Sequence, residues 1–171
     1  TFAEASLDVD LLSKHEVART VPSREQHIFE GLTMVLRDYA KKSGFTKALV
    51  PLSGGIDSAL GLAIACEAFG PDNVTAFNMP SKFNTDTTKG IAAEIAENFG
   101  CNYRVIPIQA IDNLIRETYQ EHVGPIEKGV TKENIHPRIR GLIAMLEANE
   151  NGELLISCGN KTEIALGYST I

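Results

Sequence analysis

The residues with the clearest chemical meaning are Leu52-Ser53-Gly54-Gly55-Ile56-Asp57-Ser58, a Ser/Gly-rich run between a short β-type stretch and a helical one. Two adjacent glycines let a backbone turn tightly and approach a ligand, and the following helix offers unpaired N–H groups and a positive dipole end to phosphate. Ser53 and Ser58 add hydroxyl donors. Asp57 is the exception in such a setting. A carboxylate among phosphate-binding groups repels the ligand unless a divalent cation lies between them, so Asp57 is a candidate Mg²⁺ ligand. The alternative is that Asp57 and Ser58 cap a helix after a Gly-Gly turn. Average residue usage makes S-G-G-x-D-S a roughly one-in-several-thousand event in a chain this long, which favours a site over a cap. Neither G-x-x-x-x-G-K-[ST] nor G-x-G-x-x-G occupies this junction, so a Walker-type phosphate loop and a nicotinamide-binding turn are both unsupported.

Such a loop needs a strand before it and a helix after it, and the sequence supplies both. Short β-type runs at 46–52, 73–79, 102–108 and 153–157 alternate with helical stretches at about 57–69, 85–99, 109–121 and 134–149. Strands separated by helices of this length predict crossover units: an α/β fold with a doubly wound parallel sheet covered on both faces. An earlier helix is predicted from Ser23, an N-cap candidate with Gln26 three residues on, to Lys42, with Gly44 as its stop. Its apolar positions are Ile28, Leu32, Val35, Leu36 and Tyr39. Two further stripes, Ala92/Ile95/Ala96/Phe99 and Ile135/Ile139/Leu142/Ile143/Leu146, read as core. Residues 1–23 read as a lead-in or linker and 24–171 as one domain. The stretch 124–131 reads as a flexible loop near a site.

The chain has 171 residues, 43% apolar and 22% charged, a composition that disfavours disordered, collagen-like and membrane-spanning classes. Sixteen basic against 22 acidic residues leave a net charge of -6, which provides no broad basic face for a nucleic-acid backbone. Cys66, Cys101 and Cys158 are odd in number and widely spaced, which suggests neither a disulfide framework nor a zinc knuckle and fits a reducing cytoplasm. No Ser/His/Asp or Cys/His set for covalent catalysis stands out, and Cys158 reads as a half-buried thiol after an apolar strand. The missing initiator Met hints at a chain cut from something longer.

After a strand, Ser53-Gly54-Gly55-Ile56-Asp57-Ser58 resembles the pyrophosphate loop of the N-type ATP pyrophosphatases, which cleave ATP between the α and β phosphates. Three further segments resemble the NAD synthetases within that group. Asn78-Met79-Pro80-Ser81-Lys82-Phe83 is similar to their Met-Pro-Ser-Lys/Arg-Tyr segment, where the chain passes the adenosine and enters a mobile loop. Glu133-Asn134-Ile135-His136-Pro137-Arg138-Ile139-Arg140-Gly141 is similar to their E-N-x-Q-A-R-x-R-G helix start, and the run from Gly159 to Thr170 to their G-N-K-S/T-E-x-x-x-G-Y-x-T segment. The resemblance covers about Glu25 to Ile171.

The resemblance implies a Rossmann-like adenine nucleotide alpha hydrolase fold and an enzyme that amidates nicotinic acid adenine dinucleotide. The dinucleotide's carboxylate attacks the α-phosphorus of ATP, pyrophosphate leaves, and ammonia converts the acyl-adenylate to NAD⁺ and AMP. It places ATP and pyrophosphate on Leu52, Ser53, Gly54, Gly55, Ile56, Asp57, Ser58, Met79, Lys82 and Cys158. The deamido dinucleotide falls to Asn134, Arg138 and Glu163. Glu163 lies beyond the fourth strand, at the same carboxyl edge as Asp57, so the two acids could hold one Mg²⁺; the alternative is a first-turn Glu favoured by the helix dipole. Arg138 could pair with a carboxylate or phosphate, or be a solvated surface arginine. Asn160 and Lys161 are weaker candidates.

The departures are His136-Pro137 for Gln-Ala, and Cys158 for a Ser or Thr that contacts ATP; a thiol is the poorer donor. His136 reads as a surface or packing residue, and Pro137 as a first-turn proline. Ammonia is expected from solution or from a glutamine-hydrolysing domain, since residues 1–45 resemble the junction before the synthetase domain of glutamine-dependent forms. A homodimer or higher homo-oligomer is implied. The family's pattern continues beyond Ile171, so a truncated domain, inactive alone, is expected. The rivals are a GMP-forming or tRNA-thiolating pyrophosphatase and a catalytically inactive nucleotide-binding module.

Overall fold

The computed structural model describes residues 22–81 and 86–166. The lead-in up to residue 21, Lys82, and the segment from Gly167 onward lie outside the described residues. The chain enters through α1 (Arg24–Ser43), then β1 (Ala48–Pro51), α2 (Ile56–Phe69), a single 3-10 turn (Pro71–Asn73) and β2 (Val74–Asn78). It continues through α3 (Asp86–Phe99), β3 (Asn102–Val105), α4 (Gln109–His122), α5 (Gly129–Asn151), β4 (Leu154–Leu155) and α6 (Lys161–Ala165).

The four strands form one sheet in the order β3-β2-β1-β4. Every pairing is parallel, with Ala48 opposite both Val74 and Leu154, and Thr75 opposite Asn102. The expected α/β doubly wound architecture is present. Alternation along the buried strands assigns the faces. Ala48, Val50, Leu52, Val74 and Ala76 meet Leu62, Ala65 and Cys66 of α2 and Ala92 and Ala96 of α3. On the other face, Leu49 and Phe77 meet Ile139, Ala144 and Ala148 of α5, with Ile108 at the start of α4. Both faces being covered explains why β1 and β2 read as nearly continuous apolar runs. Among the described residues, no helix is long and apolar enough to cross a membrane.

Three expectations need correction. Helix α5 begins at Gly129, so the loop read over 124–131 ends earlier and Pro137 lies inside the helix instead of in its first turn. The added turns wind because α4 holds them: Arg116 Nη2 donates to the Lys132 carbonyl at 3.2 Å. The stripe on α5 is also rotated. Ile139 is buried, but Leu142 and Leu146 are exposed, and the inward face is completed by Ala144 and Ala148, whose small side chains bring the helix close to the sheet. On α1, Ile28, Leu32, Val35 and Tyr39 are exposed, while Thr33 and Ala40 are buried. That helix is tied down through Arg37, which donates to the Glu67 and Ala68 carbonyls at the end of α2.

Of the two readings of His136, surface or packing, the structure has the second: it is buried, and its Nε2 lies 3.3 Å from Oδ2 of Asp112, a fully buried carboxylate on α4. Arg116 Nε donates to Asp112 Oδ1 at 2.8 Å, and Gln109 Nε2 donates to Oδ2 at 3.2 Å. Burial pushes the Asp112 carboxyl up, but the hydrogen bonds and positive charge of Arg116 and His136 outweigh it and hold the group below the usual carboxylate value. A depressed folded-state value means a contribution to stability that is fully present above the unfolded-state value of about 3.9 and lost as pH falls through the folded one. Urea denaturation of the wild type is therefore expected to lose midpoint more steeply on acidification below about pH 4 than that of Asp112→Asn, whose residue 112 has no proton to gain.

Candidate active site

The strand order reverses beside β1: the chain moves outward through β2 and β3, then returns by α4 and α5 to place β4 on the other side of β1. In open parallel sheets, the crevice at the carboxyl ends of the strands flanking such a reversal is where ligands bind. The turns leaving β1 and β4 meet there. Between them and α5 lies a cavity of about 610 Å³, within the range of small-molecule sites.

The turn after β1 is built around Ser58. Its hydroxyl donates to the Gly55 carbonyl at 2.9 Å, lies 3.2 Å from Ser53 Oγ and accepts from the Ser53 N–H at 3.3 Å. The Gly55 N–H in turn donates to Ser53 Oγ at 3.3 Å. Gly54 has φ of 88°, a left-handed conformation that side-chain-bearing residues rarely adopt. Beyond the turn, α2 starts at Ile56, so its first-turn amides have no intrahelical acceptor and its positive dipole end faces the crevice. Leu52, expected at the phosphates, has its side chain in the core and its N–H bonded to the Phe77 carbonyl at 2.8 Å, so it anchors the turn. Ile56 projects outward, 81% exposed.

From the other side, Asn160 caps α6 in a reciprocal capping box with Glu163, the two bonds each 2.9 Å long. Asn160 Nδ2 also reaches Asp57 Oδ2 at 3.4 Å. One asparagine thus touches both acids that the sequence pairs around Mg²⁺. Mg²⁺ is commonly held by one or two carboxylates together with substrate phosphates and water, and the two carboxylates here fit that donor set. No group of three or more His, Cys, Asp or Glu suited to a metal occurs among the described residues.

The cavity brings together Ser53, Asp57, Ser58, Met79, Arg138, Cys158 and Glu163 from the predicted set. Its lining does not include Asn134, whose carbonyl accepts from Arg138 Nη1 at 3.0 Å. Lys82 lies outside the described residues. Residues that sequence reasoning passed over also line it. Arg140, half-buried, donates from Nε to the Met79 carbonyl at 3.1 Å, and burial pulls its guanidinium below the ordinary value. Leu142, read as core, forms part of the apolar wall together with Met145 and Ile156. Arg140 was legible as the second arginine of its motif; the wall was not, because it depends on the rotation of α5.

A parallel α/β sheet with a Ser-Gly-Gly-x-Asp-Ser turn at its reversal point, faced by two arginines, is a fold of the adenine nucleotide alpha hydrolase type. The family model for NAD synthase matches residues 28–171, and the chain belongs to that family. A glutamine-dependent NAD(+) synthetase from Synechocystis sp. is 41% identical over 150 residues, covering 85% of this chain and 26% of the relative. A glutamine-dependent NAD+ synthetase from Acinetobacter baumannii, solved in complex with ADP, superposes with a TM-score of 0.83 at 38% identity, covering 88% of this chain and 28% of that one. The NH3-dependent NAD synthetase from Campylobacter jejuni gives 0.77 at 28% identity, covering 85% and 61%. The chain thus spans about a quarter of the length of the glutamine-dependent relatives.

Cys158 occupies the place where the family pattern has a hydroxyl. Burial, and then the nearby negative charge of Asp57, push its thiol above the ordinary value, so it stays protonated at neutral pH. Its sulfur packs on Gly61 of α2: a Cβ at Gly61 would lie 2.5 Å from Cys158 Sγ and 3.6 Å from Cys158 Cβ. Gly61→Ala is therefore expected to destabilise the wild type by about 1–3 kcal/mol through overpacking. In a Cys158→Ala background the same change should stabilise by about 0.5–1 kcal/mol, because alanine is the better helix residue once the sulfur is gone. A double-mutant cycle from urea denaturation measures the change of sign.

Proposed function

We propose that residues 24–171 act as an NAD synthetase domain, with the cavity binding ATP and nicotinic acid adenine dinucleotide for ATP-dependent amidation to NAD⁺, releasing AMP and pyrophosphate. The observation that carries the reading is the meeting, in one crevice, of the Ser53–Ser58 turn with Asp57, Glu163, Arg138 and Arg140. The ADP complex of the Acinetobacter baumannii relative supports an adenine nucleotide as one ligand.

In this reading, the first-turn amides of α2 with Ser53 and Ser58 bind the departing pyrophosphate, and Ser58 keeps the turn in shape before the nucleotide arrives. Asp57 and Glu163 would hold Mg²⁺, which when bound supplies charge neutralisation to the phosphates. Asn160 orients both acids through its side chain and backbone. Arg138 pairs with the anionic dinucleotide, and the wall of Met79, Leu142 and Met145 excludes water from the acyl-adenylate. The remaining polar work is orientation: the dinucleotide carboxylate must lie in line with the α-phosphorus and opposite the leaving pyrophosphate. Ammonia reaches the site from solution or from a glutamine-hydrolysing domain; the relatives include both glutamine-dependent and NH3-dependent synthetases. Exposed apolar residues on α5, including Leu142, Met145 and Leu146, support self-association as a homodimer.

Calorimetric titration of ATP with Mg²⁺ into the chain is expected to show binding that Asp57→Ala weakens about tenfold or more, equivalent to about 1.4 kcal/mol. AMP release in the presence of the deamido dinucleotide and ammonium reads the chemistry. ATP binding that is indifferent to Asp57→Ala would reduce Asp57 to a helix cap, and the absence of any ATP binding by the wild type would overturn the reading.

A further inference from the structure

Helix α5 has a proline in its interior, and the residues just ahead of that proline are tied to α4. Pro137 has no N–H to return to the carbonyl of Glu133, so the helix lacks an internal bond there and can bend. One turn before the proline, Arg116 Nη2 holds the Lys132 carbonyl at 3.2 Å. Immediately before it, the buried His136 places Nε2 3.3 Å from Asp112 Oδ2. One turn beyond it, Arg140 donates to the Met79 carbonyl at 3.1 Å, and both Arg138 and Arg140 line the cavity.

Asp112 is the hub of this arrangement. It is fully buried, and its two oxygens are addressed by Arg116, Gln109 and His136. Arg116 and Gln109 belong to α4 itself, so of these three contacts His136 is the one that crosses to α5. Its place in the chain is what gives that contact leverage: it is the last residue before the proline, four positions ahead of Arg140 and therefore one helical turn away. A buried carboxylate deprived of a partner does not simply lose a contact; the side chains left to satisfy it, Arg116 and Gln109, belong to α4, so without His136 the carboxylate no longer ties α5.

We propose that His136 is a positioning residue: through Asp112 it sets the course of α5 across Pro137 and so aims Arg138 and Arg140 into the cavity. The consequence for ligand binding rests on the nucleotide-site reading above; the geometric claim does not. An imidazole Nε2–H and a side-chain amide N–H are both donors able to reach a carboxylate, so a glutamine at this position satisfies the same requirement.

The test uses the ¹⁵N-labelled chain and the Arg140 Nε–H resonance, which reports the bond to Met79. His136→Ala is expected to speed hydrogen exchange at Arg140 Nε by about tenfold or more, while His136→Gln keeps it near wild type. Asp112→Asn, which retains the shape of the side chain, is expected to act like His136→Ala and serves if the alanine variant does not fold. Val74→Ala, a core change on the opposite face of the sheet, should lower the melting temperature without altering the Arg140 signal. With ATP and Mg²⁺ as the probe, binding should weaken about tenfold in His136→Ala and recover in His136→Gln. An Arg140 Nε–H signal unchanged in His136→Ala overturns the proposal, even with a lower melting temperature, because the residue is then only structural. If the wild type binds no ATP, the nucleotide reading fails, and the Arg140 resonance still decides the positioning claim.

Discussion

Everything at the site depends on β1 having parallel neighbours on both sides that are reached in opposite directions. The connections from β1 to β2 and from β2 to β3 run over the face covered by α2 and α3, whereas the return to β4 runs over the face covered by α4 and α5. Helices leaving the carboxyl ends of β1 and β4 therefore diverge, and a gap opens that no side chain of the sheet itself fills. The polar ends of α2 and α6 point toward one another across it. In a sheet without the reversal the same loops would lie side by side against one layer of helices. Acids and arginines from separate segments line one cavity in this gap, beside the first turn of α2.

Within the gap, shape is maintained by short-range bonds that leave the ligand-facing groups available. The Ser58 hydroxyl bonds to backbone and to Ser53, which holds the turn in the conformation that needs glycine at position 54. Asn160 does the same for the opposite turn and adds a bond to Asp57. An acid at the start of a helix is stabilised by the dipole, and an acid in a capping box is stabilised by the amide it accepts from. Asp57 therefore sits in the first turn of α2 without capping it, whereas Glu163 takes part in a cap. In Glu163 one carboxylate oxygen closes the cap while the side chain still borders the cavity.

The strands, their parallel arrangement and the Ser-Gly-Gly turn were legible because each rests on local rules: β-type runs of five to seven residues, crossover helices of fitting length, and adjacent glycines where the backbone turns tightly. The Ser23 cap and Gly44 stop of α1 were legible for the same reason. What escaped was set by contacts distant in sequence. Pro137 looks like a helix start in one dimension, and only the bond from Arg116 to Lys132, from a different helix, explains why winding begins eight residues earlier, at Gly129. The apolar stripe of α5 has the right period but the wrong phase, because Ala144 and Ala148 allow a close approach to the sheet that larger residues would prevent. Arg37 of α1 takes the place that an apolar stripe would otherwise have in docking the helix, and the stripe is left outside.

The two departures from the family's residue pattern show how a site tolerates changes in its own wall. Cys158 introduces a larger, softer atom than a hydroxyl, and its bulk is accommodated by the missing side chain at Gly61, a residue of the helix that follows the Ser53–Ser58 turn. His136-Pro137 removes a backbone donor and substitutes a ring for an amide, and the lost rigidity is offset by a fully buried carboxylate with partners on both helices. In each case the compensation lies on the side of the residue facing away from the cavity. The turn between Ser53 and Ser58 is untouched by either change, since its internal bonds involve none of the altered groups. A pocket built in this way can vary its wall and its arginine-bearing helix while the geometry of the Ser53–Ser58 turn, with glycine at a positive φ, stays constant.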